Sequence, residues 1–145
     1  MHFLKELIDI LNGLGWQRHD VVAEGAYSQF ELDFHYTNLL EMADRLVFLR
    51  ILLKEVAKKH NMFITFMPKP TIGDWRSGAH INFSMVGKNG KNIFDAGNKW
   101  SKESLFAVGG LMKHAEALTS ITCSTVNSYN GLVPRVGGFL SLIHI

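Results

Sequence analysis

Two glutamates seven residues apart, Glu24 and Glu31, and a histidine followed by alternating polar residues, His80, Asn82 and Ser84, hold most of the chemistry in this sequence. On one straight strand Glu24 and Glu31 would point to opposite faces, because side chains alternate with period two. The small-residue break Gly25-Ala26-Tyr27-Ser28 changes that. A turn centred between Tyr27 and Ser28 makes the glutamates directly opposed partners on one face, where two carboxylates repel. A divalent cation between them removes the repulsion, and hard oxygen ligands suit Mg²⁺ or Mn²⁺. Spacing alone leaves open, and favours, the plainer reading of two surface glutamates on a solvated sheet face.

The stretch after Gly78 puts His80, Asn82 and Ser84 on one face and Ile81, Phe83 and Met85 on the other. If the apolar side packs on a core, the polar stripe faces a cleft or solvent. A neutral imidazole can ligate a metal there, and amide and hydroxyl groups can orient a ligand. An ordinary polar outer face is again the favoured reading of the stripe by itself. Other candidates carry less. Gly13-Leu14-Gly15 follows a helix rather than a strand, so it is no dinucleotide fingerprint, and Gly87 to Lys91 lacks the GK[ST] ending of a phosphate loop. Cys123 reads as a small hydrophobe, and the remaining histidines have no spacing partner for a metal site.

The elements that position these groups follow from periodicity. Residues 3–14 are apolar at helical spacing, with Gly13 and Gly15 as the stop. Trp16 to Phe34 reads as two strands around the break. Asn38 with Glu41 opens a long helix to about His60, its buried stripe expected at Leu39, Leu40, Ala43, Leu46, Val47, Leu53 and Val56. Met62 to Met67 reads as a short strand closed by Pro68 and Pro70. His80–Val86 and Asn92–Phe94 read as a hairpin on a type I′ Asn89-Gly90 turn. Ser101 caps a helix to about His114, followed by a polar, turn-rich segment. The order predicts a mixed α+β domain with a largely antiparallel sheet packed with helices.

Composition narrows the classes. The chain has 145 residues, 47% apolar and 19% charged, which suits one globular core. A net charge of +2 with no Lys/Arg block argues against nucleic acid. Lys5, Glu6 and Asp9 interrupt any signal-peptide layout, and the longest uncharged run, Ala117 to Pro134, is too rich in Ser, Thr, Asn and Gly for a membrane span. One cysteine allows no internal disulfide, so the expected compartment is the cytoplasm.

Several stretches in register resemble the glutamine synthetase family: FMPKP (66–70), GDWRSGAHINFS (73–84), GKNIFD (90–95), GGLMKHAEALTSIT (109–122) and TVNSYNGLVP (125–134). VAEGAYSQFE echoes the family's glutamate-bearing segment with the same interval. The likeness runs from about Ala23 to Phe139, so residues 1–139 are expected to be a partial glutamine-synthetase-type catalytic domain. It implies that Glu24 and Glu31 hold a first metal ion and His80 a second, with Mg²⁺ or Mn²⁺ at two incomplete sites. Asn82, Ser84 and Tyr36 would lie along ATP, and Gly78 and Arg135 on the substrate side. The implied partners are ATP, glutamate, ammonia or an amine, and further copies of the parent chain in a homo-oligomer. The implied reaction is ligation through a γ-glutamyl phosphate.

The departures from the family pattern suggest a divergent branch, one that joins glutamate to an alkylamine or polyamine. They leave two readings open: Arg135 supplies the missing charge from a shifted loop, or the acid is not plain glutamate. The usual Asn-Gly before the metal histidine is replaced by Asp74-Trp75 running straight into Arg76-Ser77-Gly78, one residue short. NSYNGLVPR stands for NSYKRLVPG, so Asn130 and Gly131 replace a Lys-Arg pair and Arg135 takes a glycine's place. Family members also need further metal glutamates upstream and phosphate arginines downstream, so the 145-residue piece is expected to be inactive alone. Residues 140–145 read as a non-native or truncated tail. A non-catalytic structural or regulatory relative and a kinase-like relative remain as alternatives.

Overall fold

Leu7 and Leu11 stand one helical turn apart and Phe3 one turn before them, so one stripe of α1 (His2–Gly13) is apolar and buried. The computed structural model describes residues 2–16, 18–97 and 99–132; the side chains of residues 18 and 19 lie outside that description. Helix α1 stops as its glycines require. Gly15 sits at φ +70°, its N–H bonds the Asn12 carbonyl at 3.0 Å, and Trp16 N–H bonds the Leu11 carbonyl at 3.0 Å. That pair of bonds is the Schellman closure, which only a residue at ease with positive φ accommodates without strain.

The chain divides into two compact units, Met1–Ser77 and Gly78–Ile145. In the first, the buried stripe of α1 meets Leu49, Leu53, Val56 and Ala57 of α2 (Leu39–Lys59). Each side chain removed from water there contributes about 1.5–3 kcal/mol. Antiparallel strands β1 (Arg18–Ala23) and β2 (Phe30–Phe34) lay Leu32 and Phe34 against the same core. At the far end of α2, Glu6 receives hydrogen bonds from Lys59 Nζ at 3.0 Å and meets His60 Nε2 at 2.8 Å, pinning the two helices together. These two partners hold the Glu6 carboxyl below its ordinary value, the Lys59 hydrogen bond contributing most. Asn38 caps α2 as its sequence predicts, its Oδ1 accepting from Glu41 N at 2.9 Å while its Nδ2 donates to Glu41 Oε2 at 3.0 Å.

Four expectations need correction. The buried stripe of α2 is Leu49-Leu53-Val56-Ala57, while Leu39, Leu40, Ala43, Leu46 and Val47 are exposed. This helix is apolar on most of its circumference, so periodicity could not select the face that α1 covers. Residues 62–67 have no strand partner among the described residues; they still alternate, with Ile64 and Phe66 against the core and Phe63 outward.

In the second unit, the 80–94 hairpin shrinks to its tip. Val86 bridges Asn92, Ile93 N bonds Met85 O at 2.8 Å, and Gly87 N bonds Lys91 O at 2.8 Å. The turn bond runs from Gly90 N to Gly87 O, so Lys88 and Asn89 are the central residues and Gly90, at φ +76°, follows in the left-handed region. That is a three-residue loop with a glycine bulge, not a type I′ pair, because Asn89 does not take positive φ. After α3 (Lys102–Lys113), capped by Ser101 as expected, the segment read as turns forms α4 (Ala115–Thr122) and α5 (Val126–Asn130). The hydroxyls of Thr119, Ser120 and Thr122 bond back to Ala115, Ala117 and Leu118 carbonyls at 2.7–2.9 Å, which lets a Ser/Thr-rich run stay helical. The α+β class stands, with helices and an antiparallel two-stranded sheet.

Candidate functional site

The register of β1 and β2 decides where the two glutamates go. Val22 pairs with Glu31 and Ala23 with Phe30, and Glu24 N bonds Gln29 O at 2.9 Å, so Glu24 stands opposite Gln29. The β-turn bond, Gln29 N to Ala26 O at 3.1 Å, centres on Tyr27 and Ser28 as expected, with Ser28 at φ +60°. The strand pairing, however, is displaced by two residues from direct opposition of the glutamates. A displacement of two residues keeps the face. Glu24 and Glu31 are diagonal neighbours on one side of the sheet instead of direct partners, still within mutual reach. The other side carries Leu32 and Phe34 into the core.

The carboxyls meet. Glu31 is raised from the ordinary 4.5 to about 7, first by its hydrogen bond with the Glu24 side chain, then by partial burial, then by the charges of Asp33 and Glu24. A hydrogen bond between two carboxyls needs one shared proton, so this face retains a proton that an isolated glutamate would release. Asp33 stands two residues beyond Glu31 and pairs with Asp20. The same face thus carries Asp20, Glu24, Glu31 and Asp33. The two aspartates were not singled out from the sequence, although the alternation that placed Glu31 extends directly to Asp33. Among the described residues, no three Asp, Glu, His or Cys side chains close on one point as a complete metal cage does.

A loop braces the turn end of this face. Gln29, on the acidic side because it opposes Glu24, accepts from Ala26 N at 3.2 Å and donates to Arg76 O at 3.1 Å and to Ser77 Oγ at 3.4 Å. Tyr27 N donates to Asp74 Oδ2 at 3.3 Å, and the Trp75 indole lies against Gly25. Ser77 N bonds Pro68 O at 2.8 Å and Lys69 Nζ donates to Asp74 O, which closes the loop on itself. Tyr36 lies beyond β2, almost wholly exposed.

In the second unit Gly78, His80, Asn82 and Ser84 lie on an extended, exposed stretch. A Cβ at Gly78 would stand 3.8 Å from His80 Nε2, so these two are neighbours. The opposite side of the stretch is not a packed core face: Ile81 and Met85 are exposed, and Phe83 packs edge-on against Phe94 with ring centroids 5.6 Å apart. Arg135 lies outside the described residues.

A family model for the glutamine synthetase catalytic domain matches residues 1–138. The chain belongs to that family, which is one of glutamate–amine ligases. It is 39% identical over 130 residues to a glutamine synthetase of Pyrococcus abyssi, covering 90% of this chain and 29% of that protein. It is 40% identical over 141 residues to that of Aquifex aeolicus, covering 92% and 29%, and 45% identical over 121 residues to that of Microchaete diplosiphon, covering 81% and 25%. Among solved structures it is similar to GmaS, a gamma-glutamylmethylamide synthetase, without ligand: TM-score 0.86, 34% identity, 90% of this chain and 32% of that one. A GmaS complex with ADP matches at TM-score 0.83 and 34% identity, over 94% and 31%. The chain spans less than a third of the length of each of these relatives. No helix among the described residues is long and apolar enough to cross a membrane.

Proposed function

We propose that this chain is part of an ATP-dependent ligase that joins glutamate to ammonia or an amine, in the cytoplasm and as a homo-oligomer, through a γ-glutamyl phosphate. The observation that carries the reading is the Glu24–Glu31 pair: two carboxyls on one face of the sheet, near enough to hydrogen-bond each other. The donors fit a hard divalent ion, since a dication offsets the mutual repulsion of two ionised carboxylates on one face. Glu24 and Glu31 would hold a first Mg²⁺ or Mn²⁺, and His80 belongs to a second. Bound there, such ions screen the charge of a carboxylate approaching a triphosphate.

The chain's other residues bind and orient. Asn82 and Ser84 offer an amide and a hydroxyl to the nucleotide, and the exposed Tyr36 offers a phenol and a ring face. Gly78, beside the His80 imidazole, and Arg135 are assigned to the substrate side, Arg135 to the substrate carboxylate. In the reaction an oxygen of the glutamate side-chain carboxylate bonds to the γ-phosphorus as the β–γ bridge breaks and ADP leaves. The amine nitrogen then bonds to the carbonyl carbon, releasing phosphate and a proton. The likeness to GmaS supports an alkylamine as nucleophile.

The test measures ADP release with glutamate and ammonia, methylamine, ethylamine or putrescine, on the 145-residue chain and on any longer polypeptide that carries it. Release in the longer polypeptide, favouring an alkylamine, with none in the chain alone, is the expected result. A longer polypeptide that releases no ADP with any of the four sinks the ligase reading in favour of a non-catalytic or kinase-like relative.

A further inference from the structure

Gly25 has no room for a side chain, yet its backbone does not demand glycine. Its φ lies outside the positive region, whereas a Cβ there would stand 2.5 Å from Trp75 Cδ2 and 2.7 Å from Cε2. The three nearest obstacles are all atoms of the indole. The residue on one side of Gly25 is Glu24, whose Oε2 accepts from Gly25 N at 3.0 Å, so the backbone under the indole is also a hydrogen-bond partner of the carboxylate. Four residues on, Gln29 spans from the turn to the loop, with one bond to Ala26 and two to Arg76 and Ser77. Three independent ties thus join loop 68–77 to the turn between Glu24 and Glu31: the Gln29 amide, the Asp74 carboxylate on Tyr27 N, and the indole on Gly25.

We infer that Gln29 and Trp75 are positioning residues for the acidic face: the loop holds the turn in the conformation that brings the Glu24 carboxylate to Glu31. The inference rests on the reading of that pair as metal ligands and adds the device that sets their separation. The physical reason is that a β-turn containing Ala26, Tyr27 and an αL serine has many alternatives of similar energy. Two carboxylates that repel would choose the conformations that part them. A side-chain amide bonded on both sides, with an aromatic ring seated on a glycine, removes those alternatives. Groups that orient a metal ligand in this way typically change affinity by 10–100-fold when lost.

Mn²⁺ alone is the probe, titrated into the 145-residue chain with free ion followed by electron paramagnetic resonance. Gln29→Ala and Gly25→Ala are each expected to weaken binding about tenfold. Adding Trp75→Ala to Gly25→Ala is expected to restore affinity to that of Trp75→Ala alone, because the clash disappears with the ring. Thermal melts of each variant in EDTA separate unfolding from mispositioning: a merely structural role predicts that affinity falls only in variants whose melting temperature falls, whereas the brace predicts weaker binding in variants that still melt like the wild type. Wild-type affinity in both Gln29→Ala and Gly25→Ala, in a chain whose binding Glu31→Gln weakens, overturns the brace and leaves the metal reading standing. Wild-type affinity in Glu31→Gln, or no binding by the wild type, overturns the metal reading and the brace with it.

Discussion

Glu31 ties the site to a measurable property of the metal-free protein. Its folded value of about 7 lies above the ordinary 4.5, so the native state holds a proton that the unfolded chain has released. Stability contributed this way is present below pH 4.5 and declines as pH rises through the window from 4.5 to 7. Glu31→Gln keeps a polar side chain beside Glu24 and removes the titration. Thermal melts in EDTA should therefore show the wild type losing stability across that window relative to the variant. With Mn²⁺ present the order should reverse, the wild type gaining and the variant gaining little; a variant stabilised as much as the wild type removes Glu31 from the ligand set. The shared face of Glu24 and Glu31 was legible in the sequence because a two-residue displacement of the pairing preserves parity. Their hydrogen bond was not, since it depends on diagonal reach and on the Gln29 and Trp75 contacts from a loop more than forty residues away.

Among the elements, α1, both strands and the two capped helices were readable because local signals agree there: a Schellman glycine, period-two alternation, and Asn38 and Ser101 at N-caps. The buried face of α2 was read correctly at Leu53 and Val56 but not in the first half of the helix, because Leu39, Leu40 and Val47 are as apolar as Leu49 and only tertiary contact separates the two sets. Truncation tests that assignment. Leu11→Ala, at 0% exposure against α2, should cost roughly 2–5 kcal/mol in chemical denaturation. Val47→Ala, at 65%, should change stability by less than about 0.5 kcal/mol. Equal costs would mean that the helix buries the other face. The Glu6 clamp adds a pH signature. Its lowered carboxyl value means that its contribution exists above the ordinary 4.5 and is lost as pH falls below it. Glu6→Gln should accordingly lower the melting temperature at pH 7, by an amount that shrinks as pH falls below 4.5.

On the scale of the whole chain, the apolar surface that α2 keeps in water is the property with the widest consequence. Leu40, Val47 and Ile51 follow each other at helical spacing, 7 and then 4 residues apart, and are 74%, 65% and 59% exposed. Leu39 lies beside them at 83%. Soluble monomers rarely leave contiguous apolar surface of this kind uncovered, because hiding it lowers the free energy by about 25 cal/mol per Å². The 145-residue chain spans under a third of its relatives' length, and at micromolar concentration it should associate through this stripe. Replacing Val47 and Ile51 together by glutamate places two charges on the stripe without touching Leu49, Leu53, Val56 or Ala57. Sedimentation should then shift from concentration-dependent association toward a single small species, with the melting temperature held, because the core against α1 is intact. A double variant that associates as strongly as the wild type would locate the sticky surface elsewhere, with Leu105, Phe106 and Met112 of α3 the next exposed apolar residues to charge.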